Sequence, residues 1–154
     1  IVAAVRGVCS GTAEKYITEL AERTYDPGLA DLLEILARGM EQMKKAVAFV
    51  KDHGNEYMDL YGRPLVDIAI DLIQGYLFCD QASTAVDMAV AVSGDAGRPA
   101  EGQTVSMKDR KAQIARRFIT RNAPGHAALV QQICAGDRST LQEYGSLVGP
   151  VATE

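Results

Sequence analysis

Between Leu65 and Phe78 the chain gives a helix almost nothing polar to show to water. Leu65, Val66, Ile68, Ala69, Ile70, Leu72, Ile73, Tyr76, Leu77 and Phe78 spread around a helix axis and leave a thin polar stripe of Asp67, Asp71 and Gln74. From Asp80 onward the polar residues Asp80, Thr84 and Asp87 move to roughly the opposite side. A helix apolar nearly all round must be covered on most sides. This segment is therefore predicted to be the centre of a helical bundle or part of a larger interface, and the rest of the chain must supply its neighbours.

One neighbour is explicit. Leu29, Leu33, Leu36, Met40, Met43, Val47 and Val50 recur at alternating steps of four and three, a heptad seam of roughly six turns. Asp26-Pro27-Gly28 starts it as a turn, and Gly54 stands where a left-handed cap would end it. A shorter helix through Ala13, Ile17, Leu20 and Thr24 pairs with it across a short link. Asn55 is a plausible N-cap for a short turn running to Gly62, after which Pro64 suits the first position of the apolar helix, predicted to reach about Val92. Ser93 to Gln103, with three glycines and a proline, reads as a surface loop. Thr104 or Ser106 can cap the next helix, whose inward stripe is Ile114, Ala115, Phe118 and Ile119, and Pro124-Gly125 is predicted to interrupt it. A further helix follows from about His126 to Ala135, Gly136 stops it, and Asp137 caps a last short one through Leu147. No strand-like alternation is evident. The fold class is all-α, an antiparallel bundle of four main helices with short additional helices, expected to form one domain over residues 1–154.

A chain of 154 residues with 47% apolar content can bury roughly two-thirds of its unfolded surface, so it needs no disulfide or metal staple. No apolar run approaches the roughly 20 residues of a membrane span. The sequence begins without methionine, and its first residues lack the features of a signal peptide, which reads as a piece of a longer chain. Cys9, Cys79 and Cys134 are widely spaced among apolar neighbours, the pattern of reduced, inert core thiols in a cytoplasmic protein.

Catalytic constellations are not legible. Neither His53 nor His126 has an acidic residue three positions before it, the spacing that bundle di-metal sites use. Asp67 and Asp71 are one turn apart but make a poor ligand set, and read as a hydrated stripe or as partners for arginine. The cysteines show no zinc spacing, and the glycines of the loop lack the lysine and strand of a phosphate loop. His53 beside a helix end is expected to meet free carbonyls. No metal ligand or catalytic residue is assigned.

Charge is the exception to this blandness. Between Val105 and Asn122 six basic residues face a single Asp109, a local charge of +5 that leaves the remainder at −9. Arg110, Arg117 and Arg121 project within about 40° of one another on an ideal helix and form a ridge. Internal pairing, with Asp67, Asp71 or Glu34, is one reading of it. The other is a contact surface for an acidic partner or the phosphates of an anionic ligand, to which arginine's fork is suited. Nucleic acid is disfavoured by the net charge of −4 and the 6% aromatic content.

The run Asp67-Ile-Ala-Ile-Asp71-Leu-Ile-Gln-Gly-Tyr-Leu-Phe-Cys-Asp-Gln81-Ala82, then Lys111, Ala115-Arg-Arg-Phe-Ile119, Pro124 and Cys134-Ala-Gly-Asp137, resembles the C-terminal helical extension of the larger bacterial acyl-CoA dehydrogenases. The likeness covers about Tyr57 to Leu147 and, more loosely, the heptad helix before it. It implies a parent enzyme, an oxidoreductase of fatty-acid metabolism that oxidises an acyl-CoA at the α,β positions with FAD. In such enzymes the flavin and the catalytic glutamate belong to the preceding flavoprotein body, so no cofactor-binding or catalytic residue carries over to this chain. The chain would then be a non-catalytic accessory and assembly domain, packed against that body or a neighbouring subunit in a cytoplasmic homo-oligomer. The rival reading is a free-standing helical scaffold that binds a partner through the basic ridge. A weaker third is a small enzyme or ligand carrier with a pocket between helices.

Overall fold

The computed structural model describes residues 2–93 and 99–149. Helix α1 spans Val2–Cys9, α2 Thr12–Ala21, α3 Ala30–Asp52 and α4 Asn55–Thr84; strands β1 (Ala89–Ser93) and β2 (Pro99–Ser106) lead into α5 (Met107–Ile133), and α6 (Ser139–Gln142) and α7 (Tyr144–Val148) follow. The architecture is predominantly helical, with α2 to α5 as the main helices. Helix α4 packs against α1, α2, α3 and α5, the central place its composition demands. One strip of it stays open to water, where Ile70 is 45% exposed beside Gln74.

Side-chain pairs at the helix ends fix the directions. The Asp26 carboxylate accepts from the Gly28 amide at 2.8 Å and from the Lys108 ammonium at 2.6 Å, which puts the start of α3 beside the start of α5. The Asp26 amide donates to Ser83 Oγ at 2.8 Å, so the end of α4 lies there too. At the other end the Tyr57 hydroxyl donates to the Ile133 carbonyl, and the Tyr61 hydroxyl to that of Asp137 at 3.1 Å. Helices α3 and α5 therefore run parallel and α4 runs between them in the opposite sense.

The seam of α3 is rotated slightly from the heptad reading. Leu29, Leu36, Met40, Met43 and Val50 are buried as expected, but Leu32 and Ala46 are fully buried, whereas Leu33 and Val47 are only half-buried. The cause lies in α4, which crosses close by. A Cβ built on Gly39 would stand 2.7 Å from Leu72 Cδ2, and one on Gly75 would stand 2.5 Å from Leu36 Cδ2. Each glycine is the hole into which the other helix inserts a leucine.

Several boundaries differ from the sequence expectations. Helix α4 starts at Asn55, so Pro64 lies inside it and no separate turn runs to Gly62. An internal proline removes a helical hydrogen bond and costs about 3 kcal/mol. Tyr57 is fully buried and hydrogen-bonds to the end of α5, and Tyr61 bonds to Asp137 just beyond it, so tertiary anchoring holds the turns before the proline in helix. Gly54, at φ 86°, makes the reversal from α3 that the left-handed position predicts. Helix α5 likewise runs unbroken through Pro124-Gly125. Here buried His126 and Val130 continue the inward stripe past the proline.

Helix α4 ends at Thr84, not Val92, and the stretch expected to be surface loop contributes to a hairpin. Ala89 pairs with Ser106, Val90 with Val105 and Ala91 with Thr104, with a bulge before Ser93 pairs with Pro99. Ala89-Val-Ala-Val92 fits a continuation of the helix, yet β-branched residues every second position suit a two-stranded ribbon equally well. Residues 94–98 of the expected loop lie outside the described residues. Ser106 does cap α5, accepting from the Lys108 amide at 3.2 Å, and Asp137 accepts from the Ser139 amide at 2.8 Å at the last turn.

Gly75→Val forces branched carbons onto Leu36 and Ile119, so it is expected to lower unfolding free energy by about 1–3 kcal/mol in a denaturant titration. Gly125→Ala, with open space at its Cβ position, is expected to raise it by about 0.5–1 kcal/mol.

Candidate functional site

The ridge residues Arg110, Arg117 and Arg121 are exposed on the outer face of α5. The structure divides them. Arg117 and Arg121 line a shallow depression of about 250 Å³ with Phe78 of α4 and Ile114, Phe118 and Asn122 of α5. Arg110 lines a separate depression of about 330 Å³ against the hairpin, with Ala91, Val92, Val105 and Gln113. None of the three makes an ion pair with a described residue.

Internal pairing is taken up instead by the flanking bases. The Arg116 guanidinium holds both oxygens of Asp31, and Lys108 holds Asp26. Hydrogen bonding to Arg116 keeps the Asp31 carboxyl below its ordinary value, and the Lys108 ammonium with the Gly28 amide does the same for Asp26. The ridge and the pairing surface are thus two faces of one basic helix.

Beside Arg117 and Arg121 the apolar component is substantial. Phe78 and Phe118 meet edge to face with centroids 5.0 Å apart, both half-buried, while Ile114 is 46% exposed. Guanidinium groups flanking partly exposed aromatics are the composition that protein interfaces favour.

The two carboxylates of the polar stripe part company. Asp67 accepts from Arg63 Nε at 2.8 Å and 2.9 Å along the surface of α4. Asp71 Oδ2 stands 2.9 Å from Nε2 of His126, a residue only 6% exposed. This pair joins residues 55 positions apart, and no local spacing announces it. Only the register of α4 against α5 shows that Asp71 lies on the flank facing α5. Among the described residues no three His, Cys, Asp or Glu side chains gather as metal ligands do.

At the far end, His53 Nδ1 lies 2.7 Å from the Phe49 carbonyl and its ring stacks on Phe49 at 3.9 Å, the helix-end role expected of it. Arg138 donates to the His53 carbonyl at 2.6 Å and lies over the Tyr57 ring at 5.4 Å, completing a structural knot. Of the cysteines, Cys9 and Cys79 are buried, but Cys134 is only half-buried because it follows the last turn of α5.

What the fold and these surfaces define is a helical domain with an amphipathic outer face. No helix of the described residues is long and apolar enough to cross a membrane. Residues 9–92 match the family model described as acyl-CoA dehydrogenase C terminal, and the chain belongs to that family. The match runs from the end of α1 to β1; the α5 segment quoted for the resemblance lies beyond it. A crystal structure of an acyl-CoA dehydrogenase family protein from Porphyromonas gingivalis has the same fold, with a TM-score of 0.67 at 20% identity over 88% of this chain and 98% of that one. No curated protein matches the chain.

Acyl-CoA dehydrogenases generally use FAD. Its ring system needs a deep slot and its pyrophosphate a donor-rich cradle. A depression of about 610 Å³ opens to solvent and is lined by Glu56 and Asp59 beside Arg138, so its charged lining is net negative. The lining of that depression does not fit the flavin's pyrophosphate.

Two solution tests follow from these environments. Burial pushes the Cys79 thiol up to about 11 and raises that of Cys9, so a thiol reagent at neutral pH is expected to label Cys134 first and the other two only on unfolding, read by peptide mass. Asp26, Asp31 and Asp137 are all held below the ordinary 3.8 of an aspartate. The stability they contribute is complete above that unfolded value and is lost as pH falls through the lower folded values. The denaturation midpoint is therefore expected to drop below pH ~4, and less so in Asp31→Asn.

Proposed function

We propose that this chain is a non-catalytic accessory and assembly domain of an acyl-CoA dehydrogenase-like flavoenzyme. The parent activity in this reading is FAD-dependent oxidation of an acyl-CoA at the α,β positions, a cytoplasmic step of fatty-acid metabolism in a homo-oligomer. The flavin belongs to the flavoprotein body, in the same longer chain or a neighbouring subunit, and this domain supplies packing surface. One observation carries the reading: Arg117 and Arg121, without a described ion-pair partner, flank the half-buried Phe78 and Phe118 and the exposed Ile114. Such a face is costly to leave in water and well composed for burial against protein. Family membership supports the identity of the parent.

Purified alone, the chain is expected to show no flavin absorbance and no acyl-CoA oxidation; FAD bound at one per chain would refute the assignment. Arg117→Glu with Arg121→Glu is expected to weaken association with the flavoprotein body by light scattering while leaving the domain's own stability within about 0.5 kcal/mol, as for surface positions outside a structural network. A large loss of stability would mean that the ridge serves internal pairing.

A further inference from the structure

Helix α4 is covered on three sides. Leu72 faces Gly39 of α3, and a Cβ on Gly62 would strike Val5 of α1, while Asp80 pairs with Arg23 just past α2. Asp71 and Phe78 face α5. At 100° per residue, Gly62 and Asp80 lie about 80° to one side of Ile70 and Phe78 about 80° to the other. Ile70 therefore projects into the gap between these flanks, where it is 45% exposed, and the exposed Gln74 and Gln81 continue the strip. The fourth side of the central helix is open.

With α5 this side forms a groove. Phe78 meets Phe118 in it, and because the two helices run in opposite senses, Gln74 and Asn122 stand beside that pair one turn along. Its walls repeat at every fourth residue, Ile70, Gln74 and Phe78 on α4 and Ile114, Phe118 and Asn122 on α5, over roughly 12 Å of each axis. The ridge of a third helix matches that step. A strand does not, since it docks on unpaired backbone groups and helical walls offer none.

Charge selects the occupant. Arg117 and Arg121 stand one turn apart on the α5 rim and make no ion pair with a described residue. The carboxylates at the Ile70 end are already engaged, Asp67 by Arg63 and Asp71 by His126. Two copies of this face set against each other about a two-fold axis would bring guanidinium to guanidinium with no uncommitted carboxylate of the groove to offset them, so charge opposes self-pairing. We infer that the α4–α5 groove seats a helix of the flavoprotein body, one with an apolar ridge and two carboxylates a turn apart. The ridge lies on Ile70, Phe78, Ile114 and Phe118, and the carboxylates meet Arg117 and Arg121. This inference rests on the accessory-domain reading and adds to it the form of the partner and the extension of the face to Ile70 and Gln74.

The test is photo-cross-linking in the flavin-containing assembly. The photoreactive residue p-benzoylphenylalanine replaces Gln81, exposed at one end of the groove, and in a control Gln131, exposed on the opposite side of α5. Expected from position 81 are cross-links to the flavoprotein body at residues three or four apart, in a segment with Asp or Glu one turn apart, and none to that segment from position 131. Ile70→Glu, at an exposed position, is expected to cut the yield from position 81 about tenfold while the unfolding midpoint of the isolated chain stays in place. Cross-links to another copy of this domain, cross-links to a segment without that spacing or without carboxylates, no cross-link from position 81, or a yield unchanged by Ile70→Glu would each overturn the inference and leave the accessory-domain reading standing. Failure of the unaltered chain to join any flavin-containing assembly would refute both.

Discussion

The reciprocal contact of α3 with α4 is the constraint on which the other features depend. Leu36 fills the space left by Gly75, and Leu72 fills the space left by Gly39, so the two helices approach closer than side chains at those positions would allow. Helix α5 then closes over both, with Ile119 next to the same Gly75 hole. Because this contact fixes the rotation of α4, it decides which residues of a nearly all-apolar helix face α5. Asp71 meets His126 and Phe78 meets Phe118 as a result.

The ends are fixed by polar contacts that apolar burial does not specify. Asp26 joins three elements: it caps the turn at Pro27–Leu29 that leads into α3, pairs with Lys108 at the start of α5 and donates its amide to Ser83 at the end of α4. At the other end Tyr57 and Arg138 bind carbonyls at the ends of α5 and α3, and Tyr61 binds that of Asp137 beyond α5. These sets of contacts hold two proline-containing helices in register. With Arg116 and Lys108 engaged by Asp31 and Asp26, the outer arginines of α5 remain for other contacts.

Much of the bundle was legible because period and capping are local. Most of the Leu29 to Val50 seam, the Gly54 reversal and the cap at Ser106 follow from spacing and residue type. The misread boundaries share one cause: a proline or a short β-branched run has a local preference that distant anchors overrule. Pro64 has the local preference of a helix start, which Tyr57 and Tyr61 override by anchoring the turns before it to Ile133 and Asp137, and Met88 to Val92 fit a helical pattern although the helix ends at Thr84 and the hairpin follows. The outward course of Arg110, Arg117 and Arg121 could be drawn on a wheel, but their division between two depressions could not, since it depends on where Phe78 and the hairpin lie. The His126–Asp71 pair was illegible for the same reason.

The proposed docking face is tested most directly by hydroxyl-radical footprinting of this chain, alone and within its flavin-containing assembly. The account predicts that Phe78, Ile114 and Phe118 are labelled readily in the isolated chain and are strongly protected in the assembly. Equal labelling of the three in both states, with protection elsewhere, would contradict it.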